Sequence, residues 1–96
     1  MTVYDRIAAL SPGQECWVDY DDTLVDHATH RADITLINAL KEAKGRGVKI
    51  VLWTHAGFFE TESRINHMLA YGLEFDRVIC GVEKGELIID NLAVAP

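Results

Sequence analysis

Cysteine is scarce in this 96-residue chain: Cys16 and Cys80 are its only two, too few for a disulfide scaffold and suited to a reducing compartment. Positive charge is short as well. Nine Lys and Arg face fifteen Asp and Glu, leaving a formal charge of −6. That balance argues against an extended nucleic-acid surface, which is basic, but leaves room for a small phosphorylated ligand held by one local cluster. No run approaches the ~18 apolar residues of a membrane span. Residues 1–6 contain no long apolar stretch, so no signal peptide is expected, and a cytoplasmic protein without membrane contact is the expectation. Linkers, low-complexity stretches and internal repeats are also missing. What is there is ordinary globular composition, 49% hydrophobic and 25% charged. The length suits a single domain over 1–96, near the lower end of what folds around one core.

Turn-forming residues divide the chain into short elements. Residues 3–10 suit a short amphipathic helix through Val3, Ile7 and Leu10, ended by Ser-Pro-Gly at 11–13. Cys16 to Asp19 reads as a buried strand. From about Asp33 to Lys44, Leu36, Ala39, Leu40 and Ala43 recur at helical spacing, with Ile34 and Ile37 widening the stripe. Gly45 and Gly47 stop that helix. Val48 to Trp53 is continuously apolar apart from Lys49, which suits a strand covered on both faces. A further helix is expected from about Phe59 to Tyr71, burying Ile65, Met68 and Leu69, with Gly72 as a left-handed terminator. Arg77 to Cys80 and Leu87 to Ile89 read as two more strands. The order β-α-β-α-β, then another β, implies an α/β fold with a parallel sheet and right-handed crossovers.

Three carboxylates and a threonine follow the first strand at once: Asp19, Asp21, Asp22 and Thr23. A strand delivers Asp19 and Asp21 together to its carboxyl end, where open α/β sheets bind ligands. Carboxylates this close repel, so a cation or a proton between them is expected. The plain alternative is a solvated acidic turn. The other strands are also followed by polar groups: Thr54 after the second, Lys84 after the third, and Asp90 with Asn91 after the fourth. Taken singly these are bland: a strand-end hydroxyl bonded to backbone, a surface lysine and a turn. On one rim of one sheet they make a set able to handle a phosphate and a metal.

The constellation resembles the haloacid dehalogenase superfamily, specifically its phosphatases. The family's first motif, Asp-x-Asp-x-Thr-Leu, is similar to Asp19-Tyr20-Asp21-Asp22-Thr23-Leu24. Its second, a hydrophobic strand ending in Ser or Thr, is similar to Val48 through Thr54. Lys84 matches the third, and Leu87-Ile88-Ile89-Asp90 the fourth. The resemblance covers residues 16 to about 94 and implies a compact three-layer, Rossmann-like parallel sheet in strand order 4-1-2-3. No segment is long enough for a cap domain. Similar capless members act on sugar phosphates, on capsule intermediates or on polynucleotide ends. The implied partner is therefore a phosphorylated small molecule or a polynucleotide end, enclosed by a neighbouring subunit if the chain forms a homo-oligomer.

The resemblance also implies roles. Asp19 would attack phosphorus and form an aspartyl-phosphate. Asp21 would protonate the leaving oxygen and later deprotonate water. Mg²⁺ would be held by Asp19, the Asp21 backbone carbonyl and Asp90, while Thr54 and Lys84 would bind the phosphate. The chain departs from the family pattern in two residues. Asp22 stands where Gly is common, as an extra carboxylate at the site or a solvated turn residue. Asn91 stands where many members have a second Asp, which lowers the charge available to a metal. Few residues follow Asp90, so the sheet face there is expected to be covered by the N-terminal helix, by another subunit, or not at all if the chain is a fragment.

Remaining candidates have plainer readings beside the functional ones. His55 follows Thr54 and lines the pocket or meets solvent. His27 and His30 lie in the loop after Leu24, near enough to touch a substrate or simply solvated. His67 is read as exposed on its helix, and Arg64 as a surface arginine, though its reach would allow a phosphate contact. Trp17 and Trp53 are read as core. No Cys/His spacing resembles a zinc site. Two other function classes stay in view. One is a catalytically silent metal- or phosphate-binding relative. The other is a receiver-like phosphoacceptor, disfavoured because the third strand ends at Cys80-Gly81 with no Asp, and Glu83 is a poor substitute.

Overall fold

The computed structural model describes residues 2–80 and 92–94. In chain order these form α1 (Val3–Ala8), β1 (Glu15–Val18), α2 (Ile34–Gly45), β2 (Lys49–Thr54), α3 (Phe58–Leu69), β3 (Arg77–Cys80) and β4 (Leu92–Val94). Thr2 and Asp5 build a reciprocal capping box at the start of α1. Asp33 accepts the Leu36 N–H at 3.0 Å and opens α2. At the far ends, Gly47 and Gly72 take φ of +99° and +81°, the left-handed conformation that turns the chain out of α2 and α3. The first helix stops at Ala8, short of the expected Leu10. The Arg46 guanidinium donates to the carbonyls of Ile7 and Leu10 at 3.1 and 2.9 Å, tying the end of α1 to the end of α2.

The strands β1, β2 and β3 are parallel, with β2 in the middle. Cys16 is in register with Ile50 and Val18 with Leu52, while Val51 pairs with Arg77 and Thr54 with Cys80. A parallel neighbour needs a crossover, and α2 and α3 are those crossovers. Beyond β1 the sheet is extended by β4, also parallel, from Cys16 opposite Leu92 to Val18 opposite Val94. The strand expected over Leu87 to Ile89, together with Lys84, Asp90 and Asn91, lies outside the described residues.

The core explains the periodicities. Every residue of β2 after Lys49 is buried, as an inner parallel strand requires. Leu36, Ile37, Leu40 and Ala43 form the buried face of α2 and pack with Ile7, Cys16, Val18, Ile50 and Leu52. Each such aliphatic side chain removed from water contributes about 1.5–3 kcal/mol. Two apolar residues expected inside are not. Ile34, in the first turn of α2, is 47% exposed, and Leu69, at the end of α3, is 46% exposed. Both stand at helix ends, where the stripe has already run past the edge of the sheet. Trp53 is buried, whereas Trp17 is half-buried and meets it edge to face at 6.0 Å. Among the described residues no helix is long and apolar enough to cross a membrane.

Candidate active site

Parallel strands end on a common rim, and here that rim carries Asp19 and Thr54. Asp19 directly follows β1 and is 0% exposed; Thr54 closes β2 and is 1% exposed. A carboxylate is left in such a place only when the surroundings compensate its charge. Asp19 Oδ1 accepts the Tyr20 N–H at 2.8 Å. The chain then winds tightly about one carbonyl: the N–H groups of Thr23, Leu24 and Val25 all point to Tyr20 O, at 3.3, 3.0 and 3.1 Å. Leu24 is fully buried and anchors this turn in the core.

The turn requires a left-handed residue, and Asp22 supplies it with φ +57°. Short polar residues tolerate that conformation better than most others, which explains how Asp stands where Gly is common in the family this segment resembles. Asp22 is exposed and its Oδ1 accepts the His27 N–H at 2.9 Å. Its role is therefore that of a turn residue. Thr23 Oγ1 is buried without a hydrogen-bond partner among the described residues.

Asp21 and Thr54 are joined through one side chain that sequence reasoning assigned to the surface. Arg64, on α3, donates from Nη1 to Thr54 Oγ1 at 2.8 Å and from Nη2 to Asp21 Oδ2 at 2.8 Å. A third bond runs from Nη2 to Glu60 Oε1 at 3.0 Å. The guanidinium lies over the Tyr20 ring, 4.7 Å from its centroid, and only 11% of the Arg64 side chain is exposed. A signal for this was present in the chain. Thr61, Arg64, Ile65 and Met68 have the spacing of a core-facing helical stripe, and Thr61 and Met68 are its buried members.

His67 corrects the sequence reading in the same way. It is half-buried, and its Nδ1 lies 2.6 Å from the Tyr20 hydroxyl. Burial pushes the Tyr20 phenol above its usual range; Arg64 acts in the opposite direction, and Asp21 and Tyr71 add to the rise. The phenol and His67 Nδ1 share a hydrogen bond whose direction follows the imidazole tautomer. Through this bond and the Arg64 contacts, α3 is attached to the loop that carries Asp21.

Thr54 Oγ1 accepts N–H groups from Arg64 and, at 3.2 Å, from Ala56. With both acceptor positions taken, what the hydroxyl can offer a ligand is its hydrogen. Beside it, Tyr20, Asp21, His27, His30, Ser63 and Arg64 line an open cavity of about 220 Å³. His27 is largely exposed and its Nδ1 is 3.7 Å from Asp21 Oδ1. His55 is exposed.

The donor chemistry is that of hard oxygen: the Asp19 carboxylate and the main chain around Asp21 fit magnesium in type. Among the described residues no three of His, Cys, Asp and Glu cluster around a common point, and the third expected ligand, Asp90, lies outside them. Compared with known proteins, the chain matches no family model, no curated protein and no solved structure.

Proposed function

We propose that this protein is a magnesium-dependent phosphomonoesterase working through an aspartyl-phosphate. The observation that carries the reading is the convergence of a buried Asp19 with Asp21 and Thr54 on one rim, the latter two held by a single guanidinium. On this reading the three residues would share three tasks at one phosphate: attack, proton transfer and hydrogen-bond donation.

In the first half-reaction an Asp19 oxygen forms a bond to phosphorus as the ester oxygen leaves, and Asp21 gives that oxygen its proton. In the second, Asp21 takes a proton from water, whose oxygen attacks phosphorus, restoring the Asp19 carboxylate and releasing phosphate. The Thr54 hydroxyl donates to a phosphoryl oxygen throughout, and Lys84 offsets the charge that accumulates there. Magnesium, held by Asp19, the Asp21 carbonyl and Asp90, would supply the neutralisation that lets a carboxylate approach an anionic ester. This reading expects helices on both faces of a sheet in the order fourth, first, second, third; the described strand beside β1 is Leu92–Val94, which begins two residues after Asp90. Asn91 would offer a further oxygen to the same metal.

The open cavity next to Asp21 favours a substrate that is not wrapped by an inserted cap, such as a sugar phosphate, a nucleotide or a polynucleotide end. The deciding experiment is release of phosphate from an aryl phosphate with and without Mg²⁺. Turnover that needs magnesium and disappears in Asp19→Asn is expected. Phosphate and metal binding without any turnover would instead identify a silent relative.

A further inference from the structure

Arg64 is the one cation that the described residues place inside the rim. Three of its N–H groups are in use, on Thr54, Asp21 and Glu60, and the others have no partner among the described residues. Its stem is packed, its plane is stacked on Tyr20, and its charge is already balanced by two carboxylates. The residue therefore keeps a fixed, desolvated guanidinium edge beside the hydroxyl assigned to phosphate binding. A planar fork of N–H donors is the shape that pairs with two phosphoryl oxygens at once.

Resting on the phosphomonoesterase reading above, we propose that Arg64 is itself a phosphate ligand. On binding, Nη1 stays next to Thr54 and Nη2 exchanges the Asp21 carboxylate for a phosphoryl oxygen. The exchange keeps one ionic partner in place of another, so the guanidinium is never left unpaired in its buried position. It also releases the Asp21 side chain toward the cavity where the leaving group must sit. Arg64 thus links arrival of the phosphate to the freedom of the proton-transfer group.

The test uses the full chain and inorganic phosphate in the presence of Mg²⁺. Calorimetry should show phosphate binding weakened about 10- to 100-fold in Arg64→Met, the size expected for a hydrogen bond to a charged group, and partly restored in Arg64→Lys, which keeps the charge but not the fork. Because Arg64 also ties α3 to the rim, the unaltered protein supplies a second measurement. The Arg64 side-chain N–H resonances should shift on phosphate titration with the same Kd. Resonances that do not move while phosphate binds, or binding within about twofold of the parent in a folded Arg64→Met, would overturn the proposal. Arg64-dependent phosphate binding without ester hydrolysis keeps it and removes the phosphatase reading. Hydrolysis with Arg64-independent binding does the reverse.

Discussion

Asp76 and Ile50 are joined by two hydrogen bonds: the Asp76 N–H donates to the Ile50 carbonyl at 2.8 Å, and the Ile50 N–H donates to Asp76 Oδ2 at 2.8 Å. Asp76 immediately precedes β3 and Ile50 begins the buried part of β2, so this clamp sets one strand's height against the other. The height of Thr54 on the rim depends on it.

Replacing Asp76 by Ala should destabilise the fold by about 1–3 kcal/mol, because the buried Ile50 N–H loses its acceptor. Urea unfolding of the variant measures this. A change below about 0.5 kcal/mol would mean that water or a neighbour takes over the acceptor role.

The same carboxylate gives the protein an acid limit. Burial, the largest single influence, pushes the Asp76 pKa up. The Lys44 and Ile50 hydrogen bonds and the charges of Lys44 and Lys49 together outweigh it and leave the value below the ordinary 3.8. As pH falls, the unfolded chain therefore binds the proton first. The contribution is fully present above 3.8 and is lost as pH drops through that value toward the lower folded-state pKa. Melting temperatures of the parent and of Asp76→Asn should converge at the acid end of such a series and separate above it.

Gly47 should not tolerate a side chain. Its φ is +99°, and an added Cβ would lie 3.1 Å from Pro12 Cβ. Gly47→Ala is expected to cost about 1–2 kcal/mol in denaturant unfolding, through left-handed strain with the Pro12 contact in addition.

The cysteines should stay unpaired in the native protein. Strand β2 separates β1 from β3, so the two residues are roughly 9–10 Å apart across the sheet. Cys16 is level with Ile50 and Cys80 with Thr54, which adds about 13 Å along the strands. A disulfide needs Cα atoms within about 7 Å. Burial also pushes the Cys16 thiol up to about 12, so native-state alkylation near neutral pH should spare it. Mass spectrometry showing a Cys16–Cys80 bridge in a folded monomer would contradict the observed sheet.

If the proposed mechanism holds, Asp19→Asn should remove turnover by several orders of magnitude without changing the melting temperature greatly, since a covalent nucleophile has no substitute. On the same mechanism Asp21→Asn should lower turnover by about 10²–10⁴-fold while retaining phosphate binding, because it removes the proton-transfer group and leaves an amide oxygen that can still accept from Arg64. Loss of magnesium binding in Asp21→Asn, measured by calorimetry, would instead make its side chain a metal ligand.

Much of the frame is decided locally and can be read from the chain. The apolar run after Lys49 requires an inner strand, Gly72 ends α3 in the left-handed conformation, and the abrupt carboxylates after Val18 locate Asp19 at a strand end. Asp19 and Thr54 were legible because strand polarity alone carries the last residue of each parallel strand to the same rim. Ile34 and Leu69 were misread because periodicity identifies a helix face but not where the neighbouring sheet stops. Arg64 and His67 depended on tertiary structure. Their partners Asp21 and Tyr20 lie 43 and 47 residues away in the chain. Which polar group on the margin of a buried stripe reaches across is settled only when the helix docks on the sheet. Packing fixes its rotation and height there, and no local rule of spacing contains that information.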